Sequence, residues 1–254
     1  RQAGKAVECA RRSGDPRLLR EAFITLIFAQ MFGTARPQDG LRTLASVIEE
    51  VSHSRELDSF APYVRGFYAG LEGSIDEARR LIGVAIEIGE TTGLRALTAV
   101  YYEELAFVEL SAGEAAAAEH ASRRTYEILD DLGDEGHKST AAALLAMTLC
   151  ALDRFDEAER YAAEARRVAA EDDLISQVLG RAAQATVLAS RNELDDAERL
   201  ARQALEMFAD AEAPSNHGDL WMTLAQILLL ADRTAESQQA AHQALALYEG
   251  KGNV

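Results

Sequence analysis

The side chains that could carry out chemistry are scattered singly along this chain of 254 residues. A zinc site or a nucleophilic centre needs several such groups at a set spacing, for example two histidines one helical turn apart. The two cysteines are Cys9 and Cys150, and the five histidines are His53, His120, His137, His217 and His242. A phosphate-binding loop of the Gly-x-x-x-x-Gly-Lys type is also absent from the sequence. We therefore expect no enzyme activity, no metal site and no cofactor.

One acidic segment, 130–137, has the composition of a calcium loop but not its spacing. An EF-hand loop places ligands at its first, third and fifth positions and a glutamate at its twelfth. Leu132 stands at the third position, and the twelfth position holds no glutamate. We interpret the segment as a solvated connection between two helices.

Composition limits the class of protein that must position these residues. With 48% apolar and 27% charged residues the chain can form a core, and only 4 prolines and 6% aromatic residues favour helices over strands. The 42 acidic and 26 basic side chains give a net charge of −16, which disfavours binding to nucleic acid and to anionic membranes. No apolar run is long enough to span a bilayer, so a cytoplasmic location is the default expectation.

A repeat of about 40 residues organises the whole chain. Each copy has a turn residue, an apolar anchor, acidic residues and a small residue that opens a helix, as in 153–160 and 192–199. The small residues, which lie 38 to 40 positions apart, are Gly40, Ala78, Ala118, Ala158, Ala197 and Ser237. Apolar residues at steps of three and four predict two helices in each copy and about thirteen in all. We expect small residues on both helices of a pair to let them approach closely.

The repeat predicts one all-α domain, a right-handed α-solenoid of about six helix hairpins. Four prolines, Pro16, Pro37, Pro62 and Pro214, are each expected to open a helix, where a missing N–H costs little. Glycine, aspartate and asparagine residues mark the connections. The predicted units are a half repeat at 1–14 and full repeats at 16–53, 58–92, 94–132, 135–171, 174–210 and 214–249.

Small residues at matched positions of two helices resemble the tetratricopeptide repeat. The residues that carry the resemblance are Trp221, Leu224, Ala225, Leu228, Ser237, Ala241 and Ala244 in the sixth unit, and Leu145, Ala146, Leu149, Phe155, Ala158, Ala162 and Ala165 in the fourth. The first unit departs from the pattern, with Phe28 at a position for a small residue and Gly40 in place of alanine.

The repeat is five or six residues longer than the family's usual thirty-four. Apolar residues at Val51, Leu129, Phe208 and Tyr248 predict that the second helices are extended. Long repeats of this kind are similar to the carboxy-terminal arms of bacterial signalling ATPases, including LuxR-type activators. The last residues, 244–254, are similar to the end of the repeat arm in proteins that join a nucleotide cyclase, an AAA-type ATPase and tetratricopeptide repeats.

This resemblance implies a non-catalytic interaction and regulatory scaffold, the C-terminal arm of a longer bacterial signalling protein. Its partner would be a protein, a peptide or a neighbouring domain of the same chain, and the terminal repeats could pair two copies into a homodimer. The alternative function is an effector sensor that binds a small molecule or an apolar peptide in the concave groove.

The repeat register assigns one face of the first helices to the inside of the superhelix. The candidate binding residues on this face are Phe60, Tyr63, Phe67, Glu103, Phe107, Met147, Met222 and Gln226, together with Cys150 and Thr186. Exposed apolar surface of this kind is typical of interaction sites. The competing interpretation is that long helices close the groove and bury these side chains as core.

Overall fold

The described residues form thirteen α-helices, and every regular element among them is helical. A computed structural model describes residues 2–51, 54–169 and 173–253. The helices are α1 (Gln2–Ser13), α2 (Pro16–Phe32), α3 (Pro37–Glu50), α4 (Arg55–Leu71), α5 (Ile75–Thr92), α6 (Arg95–Ser111), α7 (Ala115–Leu132), α8 (Glu135–Ala151), α9 (Phe155–Val168), α10 (Leu174–Ser190), α11 (Leu194–Met207), α12 (Pro214–Leu230) and α13 (Thr234–Lys251). The expected all-α solenoid of paired helices is confirmed.

The helices alternate between two kinds. Each first helix, from α2 to α12, has 17 residues, whereas the second helices have 14 residues in α3, α9 and α11 and 18 residues in α5, α7 and α13. The predicted extension is correct at Leu129 and Tyr248, which lie within α7 and α13. It is wrong at Val51 and Phe208, which follow the last residues of α3 and α11. Both side chains are buried, so they are apolar because they pack and not because a helix continues.

The connection inside each hairpin has the same backbone conformation in five successive units. A residue with positive φ stands at the same point of each turn: Gly73, Gly113, Asp153, Asn192 and Asp232. Glycine adopts this left-handed conformation freely, and asparagine and aspartate tolerate it better than most residues. The repeated turn is therefore encoded by residue type, as the sequence pattern predicted.

Pro62 does not open a helix, and the prediction that it would is wrong. Pro62 lies inside α4, which begins seven residues earlier at Arg55. The signal for that start is Ser54, whose side chain accepts a hydrogen bond from the backbone N–H of Leu57 at 3.2 Å. A serine N-cap fixes a helix start directly, whereas Pro62 is the eighth residue of α4, where a proline removes one backbone hydrogen bond of the helix. Pro16, Pro37 and Pro214 do stand at the first helical position.

The small residues lie in the contacts between paired helices. Ala78, Ala118, Ala158 and Ala197 are fully buried. In the last unit the hydroxyl of Ser237 donates a hydrogen bond to the carbonyl of Ala225 at 2.8 Å, which joins α12 to α13. Close approach of two helix backbones requires such small side chains.

The first unit uses its small residue differently. A Cβ atom at Gly40 would stand 1.8 Å from the hydroxyl oxygen of Tyr68, so α3 packs closely against α4 of the next unit. Gly40 is therefore required by a contact between units.

The first and last units meet. Lys251, at the end of α13, is 1% exposed, and its ammonium donates hydrogen bonds to the carbonyl oxygens of Gln30, Gly33 and Ala35, each at 2.7 Å. These carbonyls lie at the carboxyl end of α2 and just after it. A cation is favoured there because a helix carries partial negative charge at that end. The stack of hairpins thus closes on itself.

Ion pairs on the outer surface also join neighbouring units. Arg154, before α9, lies 3.3 Å from Glu119 of α7, and Arg233, before α13, is paired with Glu198 of α11. Other pairs, such as Arg80 with Glu77, lie within one helix. Within the described ranges, no helix meets the length and hydropathy needed to cross a membrane.

Candidate functional site

A cavity of about 560 Å³ lies at the centre of the closed stack. The first helix of every full unit contributes to its wall, because these helices occupy the inner layer of the superhelix. One wall residue from each of α2, α4, α6, α8, α10 and α12 illustrates this arrangement: Phe32, Phe67, Phe107, Met147, Thr186 and Met222. The wall is mainly apolar, and its volume falls in the range of small-ligand and peptide sites.

The structure brings together five of the eight predicted site residues. Phe67, Phe107, Met147, Met222 and Gln226 line the cavity, and so do Cys150 and Thr186. Of these, Phe107, Met147 and Met222 are half-buried and available from the cavity. The helical period therefore identified most of the inner face of α6, α8 and α12.

Phe60, Tyr63 and Glu103 do not line the cavity, and the expectation that the two aromatic residues are accessible is wrong. Phe60 and Tyr63 are 0% and 1% exposed. Tyr63 lies with its ring centroid 4.9 Å from that of Tyr101, and Phe60 lies 5.3 Å from Phe28. The first helices α2, α4 and α6 pack directly on one another here, so their aromatic side chains form core, as the competing interpretation proposed for all ten residues.

Glu104, which sequence reasoning missed, does line the cavity. It is buried, with 9% of its surface exposed, and it makes no hydrogen bond or ion pair with any residue that the structure describes. The neighbouring Glu103 is half-buried on an adjacent face of α6. The signal in the sequence was the pair of glutamates in an otherwise apolar helix, but the pattern alone did not determine which of the two faces inward.

Burial raises the pKa of three carboxyl groups in and near the cavity. The pKa of Glu103 is raised to about 7 by burial, and that of Glu104 to about 8 by burial and by the charge of Glu103. Asp219 of α12 also lines the cavity; burial raises its pKa to about 6, although a hydrogen bond from the Tyr248 hydroxyl at 2.6 Å opposes the rise. Removal from water disfavours the charged form of each group.

Cys150 is a buried wall residue whose thiol is held protonated. Burial raises its pKa to about 12, and its sulfur lies 3.8 Å from the carbonyl oxygen of Ala183. A reactive cysteine requires a lowered pKa, so the surroundings of Cys150 fit a packing role.

Most of the acidic segment at 130–137 is helical, so the connection between the two helices is shorter than the sequence suggested. Only Gly133 and Asp134 stand between α7 and α8. Asp130 accepts a hydrogen bond from the Lys138 ammonium at 2.6 Å, and Asp134 accepts one from the backbone N–H of His137 at 3.1 Å, which caps α8. These carboxylates therefore serve an ion pair and a helix cap. Among the described residues, no three histidine, cysteine or acidic side chains are grouped so that they could hold a metal ion; His53 lies outside those residues.

Comparisons with solved structures identify the fold. The chain is similar to a Rap protein complexed with competence and sporulation factor, with a TM-score of 0.71 and 15% identity over 91% of this chain and 66% of that one. It is also similar to NprR in complex with its cognate peptide NprX, with a TM-score of 0.69 and 10% identity over 93% of this chain and 69% of that one.

A third similar structure is a signal transduction ATPase with numerous domains that has a tetratricopeptide repeat sensor, from Pyrococcus horikoshii. Its TM-score is 0.54 at 15% identity, over 92% of this chain and 37% of that one. The chain thus spans about two thirds of the Rap protein and little more than a third of the ATPase. No family model and no curated protein matches the sequence. The fold is that of a tetratricopeptide-like repeat domain.

Proposed function

We propose that this chain is a non-catalytic protein-interaction and regulatory scaffold whose central cavity holds a peptide or an apolar segment of a partner. The observation that carries the proposal is the cavity of about 560 Å³, whose wall is built from the first helices of six units. Repeat proteins commonly bind their partners on this concave side. The described residues offer apolar contact area there and no assembled catalytic group.

The similar structures support a peptide as the occupant. Two of them were solved as complexes, the Rap protein with competence and sporulation factor and NprR with its cognate peptide NprX. The third contains a tetratricopeptide repeat sensor in a signalling ATPase. We extend from these that the chain is the regulatory arm of a larger bacterial, cytoplasmic signalling ATPase or cyclase-linked regulator, with no role in binding nucleic acid or membranes.

A second candidate function is that of an effector sensor for a small molecule. The size of the cavity favours this candidate, because it falls within the 300–1,000 Å³ typical of ligand pockets. A sensor would bind its effector saturably and without a protein partner. A pure scaffold would need the longer contact surface of a peptide or a folded domain.

The test is a binding screen with matched variants in the cavity and outside it. Apolar peptides and small metabolites are titrated into the purified chain by calorimetry, and each hit is repeated with Phe107→Ala and Met222→Ala, which remove half-buried wall side chains. The control is Leu230→Ala, an exposed leucine on α12 that does not line the cavity.

We expect each wall variant to weaken binding by about tenfold, the cost of losing one buried apolar side chain. Leu230→Ala should bind as the unchanged chain does. If every hit binds equally to all four proteins, the cavity is not the binding site. If no compound binds with a dissociation constant below about 1 mM, which corresponds to only about 4 kcal/mol, the proposal fails altogether.

A further inference from the structure

The carboxyl groups in the cavity wall have no basic counterpart among the described wall residues. The wall contains two carboxyl groups, Glu104 from α6 and Asp219 from α12, and the described wall residues include no lysine, arginine or histidine. An anionic ligand would find no cation there. A cationic ligand could pair with a carboxylate, and such complementary charge favours specific binding.

Glu104 is the more informative of the two because it lacks a partner. A second glutamate on the same helix, Glu109, is just as deeply buried at 7% exposed, but it receives two hydrogen bonds from Arg79, at 2.9 and 2.7 Å. Glu104, at 9% exposed, receives none from the described residues. A buried carboxyl group without a partner costs free energy, and native proteins rarely leave that cost uncompensated. Glu104 therefore presents an unused acceptor to the cavity.

Asp219 is partly satisfied. One of its oxygens, Oδ1, accepts the hydrogen bond from the Tyr248 hydroxyl. The contact holds the carboxyl group in place between α12 and α13 and adds a second site of negative charge to the wall. Two of the cavity's helices thus each contribute a carboxyl group to its wall.

The other wall residues indicate that most of the ligand is apolar. Phe67, Phe107, Met147 and Met222 present aromatic and thioether surface from four helices. Such surface favours an apolar group, and methionine adapts to its shape. A ligand that is apolar over most of its length and carries one positive charge satisfies both parts of the wall.

We propose that the cavity selects an apolar ligand bearing a single organic cation, an ammonium or guanidinium group that pairs with Glu104 while the apolar part contacts Phe107 and Met222. This inference rests on the proposed function, since it names the ligand class of the same cavity. A basic side chain within an apolar peptide and a free apolar amine share this chemistry, so the test contains one series for each source.

The experiment is calorimetric titration of the full chain with two matched series of probes. The small-molecule series is octylamine, 1-octanol and octanoate, below their aggregation limits. The peptide series is a leucine-rich pentapeptide with blocked ends and a central lysine, glutamine or glutamate. We expect the cationic member of at least one series to bind about tenfold or more tightly than its neutral counterpart, as hydrogen bonds to charged groups do. The series that shows the difference identifies the source.

Two variants locate the effect. Glu104→Gln should reduce affinity for the cationic probe about tenfold and leave the neutral probe within about twofold. Glu103→Gln is the matched control: it removes the same charge one residue away, from a side chain outside the cavity wall, and should keep or slightly improve cation affinity. Circular dichroism establishes that both variants are folded, and the probe series on the unchanged chain remains decisive if one is not.

Proton release gives an independent readout. Because the carboxyl group of Glu104 is held largely protonated by burial, pairing with an ammonium must displace its proton into the buffer. The binding enthalpy of the cationic probe near pH 7 should therefore change with the ionisation enthalpy of the buffer. This dependence should vanish in Glu104→Gln and persist in Glu103→Gln.

The outcomes separate this inference from the proposed function. If neutral or anionic probes bind as tightly as the cation and still lose affinity in Phe107→Ala, the cavity binds ligands but does not select charge, and only this inference is overturned. Equal cation affinity in the unchanged chain and in Glu104→Gln also overturns it. If no probe binds below about 1 mM, both fail.

Discussion

At the scale of residues, Glu103 and Glu104 show how far a sequence pattern can locate a binding surface. The period of apolar residues predicted correctly that Phe107, Met147 and Met222 face inward. It chose Glu103 over Glu104 because neighbouring residues differ by about 100° around a helix, and the pattern leaves the rotation of a helix uncertain by about that angle. Packing of α6 against its neighbours fixes the rotation, and this information lies outside the helix itself.

The same limit explains Phe60 and Tyr63. Their spacing on α4 indicates the inner face, but it does not say whether that face borders the cavity or another helix. Contacts with Phe28 on α2 and Tyr101 on α6 decide the matter. Whether a residue on the inner face borders the cavity or another helix depends on the curvature of the stack. The packing of all the units together sets that curvature.

The buried carboxyl groups predict an unusual dependence of stability on pH. In the folded chain Glu104 has a pKa of about 8, well above the value of an unfolded glutamate, so the folded state holds a proton that the unfolded state releases between about pH 5 and pH 8. The free energy of unfolding should therefore fall as the pH rises through this range.

We expect Glu104→Gln to remove part of this decrease in the free energy of unfolding with rising pH. The variant should raise the free energy of unfolding at about pH 8 by on the order of 2 kcal/mol and change it little at about pH 4, because the glutamate is then neutral in both the folded and the unfolded state. Urea unfolding at both pH values measures the effect. Glu87→Gln, at an exposed position of α5, is the control, and equal behaviour of the two variants would contradict the prediction.

At the scale of elements, the hairpins were predictable because local residue types encode them. The left-handed residues Asp153, Asn192 and Asp232 specify turns without help from distant parts of the chain. The ends of α3 and α11 were not predictable, since Val51 and Phe208 are apolar for packing beyond the helix. Pro62 was misread because Ser54, and not the proline, caps α4.

The close contact within a hairpin gives a direct test in α9. Ala158 is fully buried, whereas Ala163 of the same helix is exposed. We expect Ala158→Leu to destabilise the protein by about 1–3 kcal/mol, because a larger side chain must push two helices apart. Ala163→Leu should lie within about 0.5 kcal/mol of the unchanged chain, as is usual for exposed helix positions. Similar melting temperatures for both variants would refute the assigned contact.

At the scale of the whole molecule, the contact between the first and last units is the feature that no local pattern could reveal. Lys251 contacts residues at the end of α2 and just after it that lie 216 to 221 positions earlier in the sequence. The contact arises only because the rotations from one unit to the next add up along the whole stack. In the sequence, Lys251 looks like any exposed lysine at the end of a helix. Sequence reasoning therefore described the units well and the assembled shape incompletely.

Lys251→Met tests the closure. Methionine is about as long as the aliphatic stem of lysine, but it leaves three carbonyl oxygens without their donor. We expect the free energy of unfolding to fall by about 1–3 kcal/mol. We also expect the first and last units to separate, which small-angle X-ray scattering would record as a larger radius of gyration. Lys5→Met, an exposed lysine on α1, should change neither quantity. An unchanged radius with unchanged stability would show that Lys251 does not join the two units.

The hydrogen bonds of Lys251 have a consequence for how this architecture can change. An open repeat array tolerates duplication or deletion of a hairpin, because each unit needs only its immediate neighbours. Here a lost or gained hairpin of about 40 residues would rotate Lys251 away from the carbonyls of Gln30, Gly33 and Ala35. A change in the number of hairpins would therefore break the contact between the first and last units, whereas substitutions within a hairpin can leave it intact.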